Sequence, residues 1–528
     1  MRFLLALLTV LLFAPLPELH AAELKLASFF SDHMVLQRDK PVKVCGWADA
    51  GATVKVAFAG QNETAKAGAD GSWLAKLKAL PASADGRDIV VTCGSANVTI
   101  KDVVVGEVWL LGGQSNMEMP LWWRDDGKEI AKGTRLVLDT DHPWLRILRV
   151  PREASRTPVE TFDGEWHVAK SKDKATSEFS ALGYFIGTQL HEKIGVPIGL
   201  VDTSWGGTIA SAWCSREALD AIPEATEMVK NKITAADTWT EDGAKKEFAE
   251  AISDWEKRVA AAKAANKGIP GKPSLKTDPA KDRNFPAGSF NAMIWPLRQM
   301  TWRGVFFYQG ENNLFDKVDP FDKTFPAVAT TWRKTFGEPA LPFCIFQICG
   351  WGRGPRLYLP DDKRPVLQEL QLKTHLALPG TGFVVTGDYP HTDIHPLRKQ
   401  PIAERAVRWA RAEVYGEKGV TWGTPVFQSM KKEGARLILN FSTPGNEALK
   451  LTGEPAGFVI AGADGKFVEA KAEIVGRTSV AVWSDKVAEP AHVRYVWSDN
   501  GIFNLRTESG LPVSVFRTDD FPTTNAHM

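Results

Sequence analysis

The amino-acid sequence predicts an α/β protein whose parallel sheet, covered by helices on both faces, is flanked by two β-rich regions. Three textures along the 528 residues carry this reading. Short alternating runs separated by Gly, Asp and Asn fill the first part; apolar runs, each followed by a helical pattern, fill the middle; alternation without long helices returns at the end. Length alone suggests roughly two to four domains, with ample chain for a core.

Residues 1–22, MRFLLALLTVLLFAPLPELHAA, carry one Arg, run apolar from Phe3 to about Ala14 and end on Ala21 and Ala22. That layout is a secretory signal peptide, too short for a comfortable span, so export to the periplasm or the exterior is expected. Residues 23–105 contain VKVCGW, TVKVAFAG, WLAKLKAL, DIVVTCG and VTIKDVVVG, the spacing of a small β-sandwich.

From 106 to 418, EVWLLGG, VPIGLVDTSWGG, WRGVFFYQG, LPFCIFQI and TGFVVTGD read as buried strands. Helices are expected near 178–194, 208–220, 320–336, 364–378 and 397–415, and strand-then-helix repetition implies a parallel sheet. Residues 216–290 look inserted. There Phe248, Ile252, Trp255 and Val259 recur at helical spacing, an amphipathic helix expected to pack on the body ahead of a mobile loop. From 419 to 528, ARLILNF, KFVEAKAEIV, SVAVWS and HVRYVWS form a second β-region.

Lys plus Arg (64) balances Asp plus Glu (63), with no long basic block, so a nucleic-acid or anionic-membrane partner lacks electrostatic support. No later segment reaches about 18 consecutive apolar residues, so no membrane association is expected once the signal is removed. The five cysteines include no CxxC pair, which argues against a structural metal. Cys45 and Cys93 sit in strand-like runs of one region and could be bridged after export, whereas buried free thiols are the reading for most of the five.

In an open parallel sheet, ligands bind beyond the carboxyl ends of the strands. Four polar turns stand there: GGQSNM (112–117), TSWGGT (203–208), YQGENN (308–313) and DYPHTDIHP (388–396). Taken singly each is ordinary turn chemistry; together they satisfy acyl transfer through serine, which needs a hydroxyl, a neutral imidazole, a carboxylate to orient it and donors for the oxyanion. Ser115 supplies the hydroxyl and His395 the base, with His391 as competitor; Asp393 orients the imidazole, with Asp388 or Glu311 as fallback. The oxyanion donors are the Ser115 N–H, that of Gly206 or Gly207, and the amide of Gln309 or of a nearby Asn, Asn312 or Asn313. Trp122, Trp123, Trp205 and Trp351 are candidates for stacking on a sugar, and Arg398 and Lys399 for meeting an acidic sugar's carboxylate.

GQSNM is not the nucleophile elbow of an α/β-hydrolase, because Met117 stands where that turn needs glycine. Instead FSDHMVLQRDKPVKVCGWA, GEVWLLGGQSNMEMPL, WGGT, YQGENN, DIHP and LPVSVFR, in this order over about 26–517, resemble the sialate O-acetylesterase family of the SGNH hydrolase superfamily, related to bacterial acetylxylan esterases. The resemblance implies a flavodoxin-like three-layer α/β/α catalytic domain between accessory β-structures. It also implies hydrolysis of O-acetyl esters on sugars without metal or organic cofactor, with Ser115 as nucleophile, His395 as base, Asp393 as acid, a glycine of WGGT as second oxyanion donor and the YQGENN block as third, where Gln309 leaves the strand first. The implied partner is an O-acetylated carbohydrate, sialic acid foremost. The alternatives are an acetylesterase of xylan or pectin and a non-catalytic carbohydrate-binding protein.

Overall fold

The computed structural model describes residues 24–122, 140–316, 318–352, 354–358, 363–390, 392 and 394–523; the signal-like segment 1–22 lies outside them. The central sheet runs, edge to edge, through Trp166–Ala169, His142–Arg149, Ile198–Asp202, Ala96–Gly113, Gly304–Tyr308, Phe343–Phe346 and Thr381–Val384. All neighbours are parallel except the first pair. That antiparallel pair adds two strands at one side of the sheet to those read from the sequence; the apolar signal for the longer one is Leu145, Ile147 and Leu148.

The central strands are buried from end to end, which is why they read as continuous apolar runs rather than alternation. Successive residues still serve opposite faces. Trp109, Leu111, Phe306 and Tyr308 pack with the helices Ala181–Ile194 and Lys399–Trp409. Val108, Leu110, Val305 and Phe307 pack with Phe321–Phe336 and Lys363–Ala377. Helix Ala181–Ile194 starts on Ser180, whose side chain accepts from the Gly183 N–H, and stops at Gly195 in the left-handed region.

The strand Ala96–Gly113 is 18 residues long and passes through the boundary expected at 105 to 106 without a break. Its first part pairs with Ser83–Cys93 and Val35–Gln37, its last part with the central sheet. At the crossing, Glu107 is 0% exposed, and its carboxylate accepts from Arg38 Nε (2.5 Å), Arg303 Nε (2.5 Å) and Gln37 Nε2 (2.9 Å). Burial of that charge is tolerable because it is paired on both oxygens.

Cys45 and Cys93 belong to different sheets of the N-terminal region, and both are free and buried. The bridge that the sequence allowed is thus absent, and these thiols are buried and free as read for most of the five; burial, the dominant effect, pushes the Cys45 thiol up to about 12. In the insertion, Phe248, Ile252, Trp255 and Val259 lie half-buried along the helix Glu241–Ala264. The chain that follows covers them. Trp255 Nε1 donates to Pro270 O (2.8 Å), Lys272 lies over the Trp255 ring, and Lys276 pairs with Glu247 (2.9 Å). The return segment thus supplies part of the cover that the sequence reading assigned to the body.

Three small sheets make up the C-terminal part, and Asp388 ties it to the central sheet. Asp388 takes both nitrogens of Arg405 (2.7 and 2.7 Å) and Nη1 of Arg506 (2.9 Å). Burial alone would raise this carboxyl, but the two guanidinium groups outweigh it and hold the group below the usual carboxylate range. Among the described residues no helix is long and apolar enough to cross a membrane.

Candidate active site

Parallel register brings the polar turns together. Gly113 pairs with Tyr308, Leu111 with Asp202, Tyr308 with Phe346 and Phe346 with Val384, so the chain leaves each strand at the same sheet edge. The turns then continue the ladder: Gln114 N–H donates to Tyr308 O, Thr203 N–H to Leu111 O and Trp205 N–H to Gly113 O, each at 2.9 Å. Gly113 has φ +115°, and a Cβ there would stand 2.1 Å from Tyr308 O. Only glycine fits so close to the neighbouring strand.

Two residues on, Ser115 opens a one-turn helix, Ser115–Glu118. Its hydroxyl lies 2.8 Å from His395 Nε2, so the candidate nucleophile and candidate base meet across 280 residues of chain. His391 and Asp393 lie outside the described residues, as does Trp123. Asp388 has its oxygens committed to Arg405 and Arg506, and Glu311 Oε1 accepts from Asn116 Nδ2.

Behind Ser115 sits a buried polar group. Asn116 Nδ2 donates to Glu311 Oε1 (2.5 Å) and to Ile394 O (2.9 Å), and Lys399 Nζ donates to Asn116 Oδ1 (2.7 Å). Burial, only partly offset by neighbouring cations and Asn116, raises the Glu311 carboxyl. Ile394 adopts φ +64°, an outlier for a β-branched side chain that costs about 1–3 kcal/mol and must be over-determined by its surroundings. Its carbonyl is held by Asn116 and by the Cys349 thiol (3.1 Å), directly before His395.

The donors sort differently from the sequence reading. Gln309 is fully buried, its amide donating to Thr208 O (2.6 Å) and Gln114 Oε1 (3.0 Å). Asn313 donates to Asp319 and accepts from the Ala210 N–H, also buried. Neither reaches the cleft, because the chain turns at Gly310 and the short helix Asn312–Leu314 directs Asn312 outward instead. Asn312 Nδ2 donates to Gly207 O (2.7 Å) and the residue lines the cleft. Gly206 donates its N–H to Glu118 Oε2, while the N–H groups of Ser115 and Gly207 make no hydrogen bond among the described residues.

The cleft encloses about 480 Å³ in front of Ser115 and His395, walled by Trp205, Phe315, Met119 and Pro120 and by the side chains of Glu118, Arg152 and Arg283. Of the aromatic candidates, Trp205 lines it. Trp351 instead donates from Nε1 to Thr392 O (2.9 Å), bracing the histidine loop, and Trp122 is exposed away from the lining. Lys399 is 1% exposed behind Asn116 and Arg398 lies over the Tyr389 ring, so neither cation faces the cleft. The arginines that do were missed from sequence. Arg152 follows the overlooked strand His142–Arg149 and was legible in principle; Arg283 comes from the insertion and carries no local signal. Among the described residues no group of three His, Cys, Asp or Glu side chains is arranged to hold a metal ion.

No family model matches the chain. It is 28% identical to the sialate O-acetylesterase of Homo sapiens over 461 residues, covering 79% of this chain and 76% of that one. It is 27% identical to that of Rattus norvegicus over 451 residues, covering 79% and 78%. A crystal structure of a carbohydrate acetylesterase from Xanthomonas citri is 33% identical, with a TM-score of 0.76 over 94% of this chain and 100% of that one. Likeness of this extent, in sequence and in structure, means that the chain belongs to the sialate O-acetylesterase family of carboxylic ester hydrolases.

Proposed function

We propose that the protein is an exported serine esterase that removes O-acetyl groups from sugars, O-acetylated sialic acid foremost, through an acetyl-enzyme on Ser115. The observation that carries this is the 2.8 Å contact between Ser115 Oγ and His395 Nε2 at the floor of the sheet-edge cleft. With His142–Arg149 and its antiparallel partner set aside as additions at one edge, the remaining parallel strands Ile198–Asp202, Ala96–Gly113, Gly304–Tyr308, Phe343–Phe346 and Thr381–Val384 read 2-1-3-4-5 in chain order, which supports an SGNH-type, flavodoxin-like assignment for 106–418. Export is supported by the composition of residues 1–22.

His395 Nε2 takes the Ser115 proton as Oγ attacks the acetyl carbonyl. The tetrahedral oxyanion is met by the N–H groups of Ser115 and Gly207 and by Asn312 Nδ2, which replaces Gln309 and Asn313 as the third donor. Collapse breaks the ester bond, and the sugar oxygen leaves with the proton from His395. Water, deprotonated by the same nitrogen, then attacks the acetyl-serine; acetate departs and the hydroxyl is restored. Asp393 orients the imidazole. Because the base must be neutral, turnover falls as acid protonates the imidazole.

Replacing Asn312 by Ala is expected to lower kcat by roughly 10² to 10³, the cost of one oxyanion donor, whereas Asn313→Ala acts on stability. Equal kcat for Asn312→Ala and wild type would remove Asn312 from the hole. Acetate release from O-acetylated sialic acid, compared with acetylated xylan, tests the substrate: faster release from xylan replaces sialate by plant polysaccharide.

A further inference from the structure

We infer that Arg283 binds the carboxylate of an acidic O-acetylated sugar and so selects sugar acids over neutral sugars. The inference rests on the esterase reading of Ser115 and assigns the substrate's charge within the same cleft.

The cleft holds two guanidinium groups of unequal status. Arg152 is neutralised: Nη1 lies 3.0 Å from Glu118 Oε1, and Nε donates to Ser204 O (3.3 Å). Glu118 is consumed in turn by Arg152 and the Gly206 N–H. Arg283 has no carboxylate partner among the described residues. It donates from Nη1 to Gly206 O (2.5 Å) and lies 5.8 Å from the centre of the Trp205 ring. A guanidinium has five N–H donors, so most of its fork is left for a ligand, and that fork matches a carboxylate in two parallel bonds.

Its place is fixed by its neighbours. Asn284 Oδ1 accepts from the Ile209 N–H (2.9 Å), Asn284 O accepts from Lys232 Nζ (2.8 Å), and Phe285 is buried, so the segment directly after the cation is pinned beside the glycine turn. That turn also sets the spacing. A Cβ on Gly206 would stand 3.2 Å from Ser115 Cβ, and one on Gly207 would stand 3.0 Å from Arg283 Nη1. Ser115 and the Arg283 guanidinium therefore flank neighbouring residues of one turn in the same cleft. A single sugar ring seated there would place an acetyl ester at Ser115 and a carboxylate at Arg283, beside Trp205.

The test compares each O-acetylated sugar acid with its carboxyl methyl ester, which keeps the acetyl group and loses the charge. In wild type, kcat/KM for the free acid should exceed that for the methyl ester by roughly 10- to 100-fold, the worth of a charged hydrogen-bonded pair, with the difference mainly in KM. In Arg283→Gln the ratio should fall to near one, and Arg283→Lys should recover part of it. Because the readout is a ratio, a general loss of activity does not mimic the result. An O-acetylated sialic acid and an O-acetylated galacturonic acid are run as separate arms, and the one showing the larger wild-type ratio is the source of the carboxylate. A wild-type ratio near one in both arms, or a ratio that survives Arg283→Gln, overturns the assignment. Failure of the esterase reading looks different: Ser115→Ala would then hydrolyse both members of a pair as fast as wild type.

Discussion

Ser115→Ala should lower kcat for an activated acetyl ester by about 10⁶, leaving at most the roughly 10³- to 10⁴-fold acceleration over water that an intact cleft and oxyanion hole provide. The loss is large because serine and imidazole act as one unit: without Oγ, His395 Nε2 has no proton to take at 2.8 Å and no acetyl-enzyme can form. Stability should hardly move, since among the described residues the hydroxyl's side-chain contact is to His395 and the residue is only half-buried. Thermal unfolding measured beside kinetics separates the two outcomes. A variant that folds normally and retains wild-type turnover would sink the assignment of Ser115 as nucleophile. His395→Ala should behave alike, because removing either member disables the pair.

The second large effect is expected two residues upstream. In Gly113→Ala the new methyl would sit 2.1 Å from Tyr308 O and 2.6 Å from Tyr308 C, both backbone atoms of the adjacent strand, at φ +115°. No rotamer change relieves a backbone overlap, so the strands must part or the turn must re-form, at a cost on the order of 3 kcal/mol or more. Either response displaces Ser115. The variant should give little soluble protein, and whatever folds should be slower by about 10²-fold or more, the usual penalty for misplacing a reacting group by an ångström. Gly268→Ala, at a glycine with nothing within 4 Å of the added methyl, is the matched control and should match wild type in yield and rate. Normal yield and rate in Gly113→Ala would contradict the close approach of the two strands.

Much of this arrangement was legible in the residues. The parallel strands declared themselves as unbroken apolar runs, and helices expected near 320–336 and 364–378 stand at Phe321–Phe336 and Lys363–Ala377, because strong periodicity survives tertiary packing. Ser115 and His395 could be paired because sheet-end turns converge by topology. What escaped was decided by side-chain direction and long-range placement. Gln309, Asn312 and Asn313 fall within five residues, and only the reversal at Gly310 determines which amide faces the cleft. Arg283 reaches the site from an insertion whose own pattern speaks of helices and a loop. Lys399 is near His395 in sequence yet lies on the far side of Asn116. Cys45 and Cys93 share a β-region, but alternation does not say which of two sheets each strand joins.

The uninterrupted strand Ala96–Gly113 has a consequence for how such an enzyme can be taken apart or recombined. Elsewhere a pliant linker lets a protease, a gene fusion or a pulling force detach an accessory module while the enzyme carries on. Here the seam is a stiff rod whose far end carries the Ser115 turn, and it is fastened by a carboxylate shared between Arg38 on one side and Arg303 on the other. The N-terminal portion is therefore not cargo that can be shed. A chain started at 106 would surrender the Arg38 and Gln37 contacts of Glu107 and leave that buried carboxylate to Arg303 alone, so in heredity and in handling the two parts travel together.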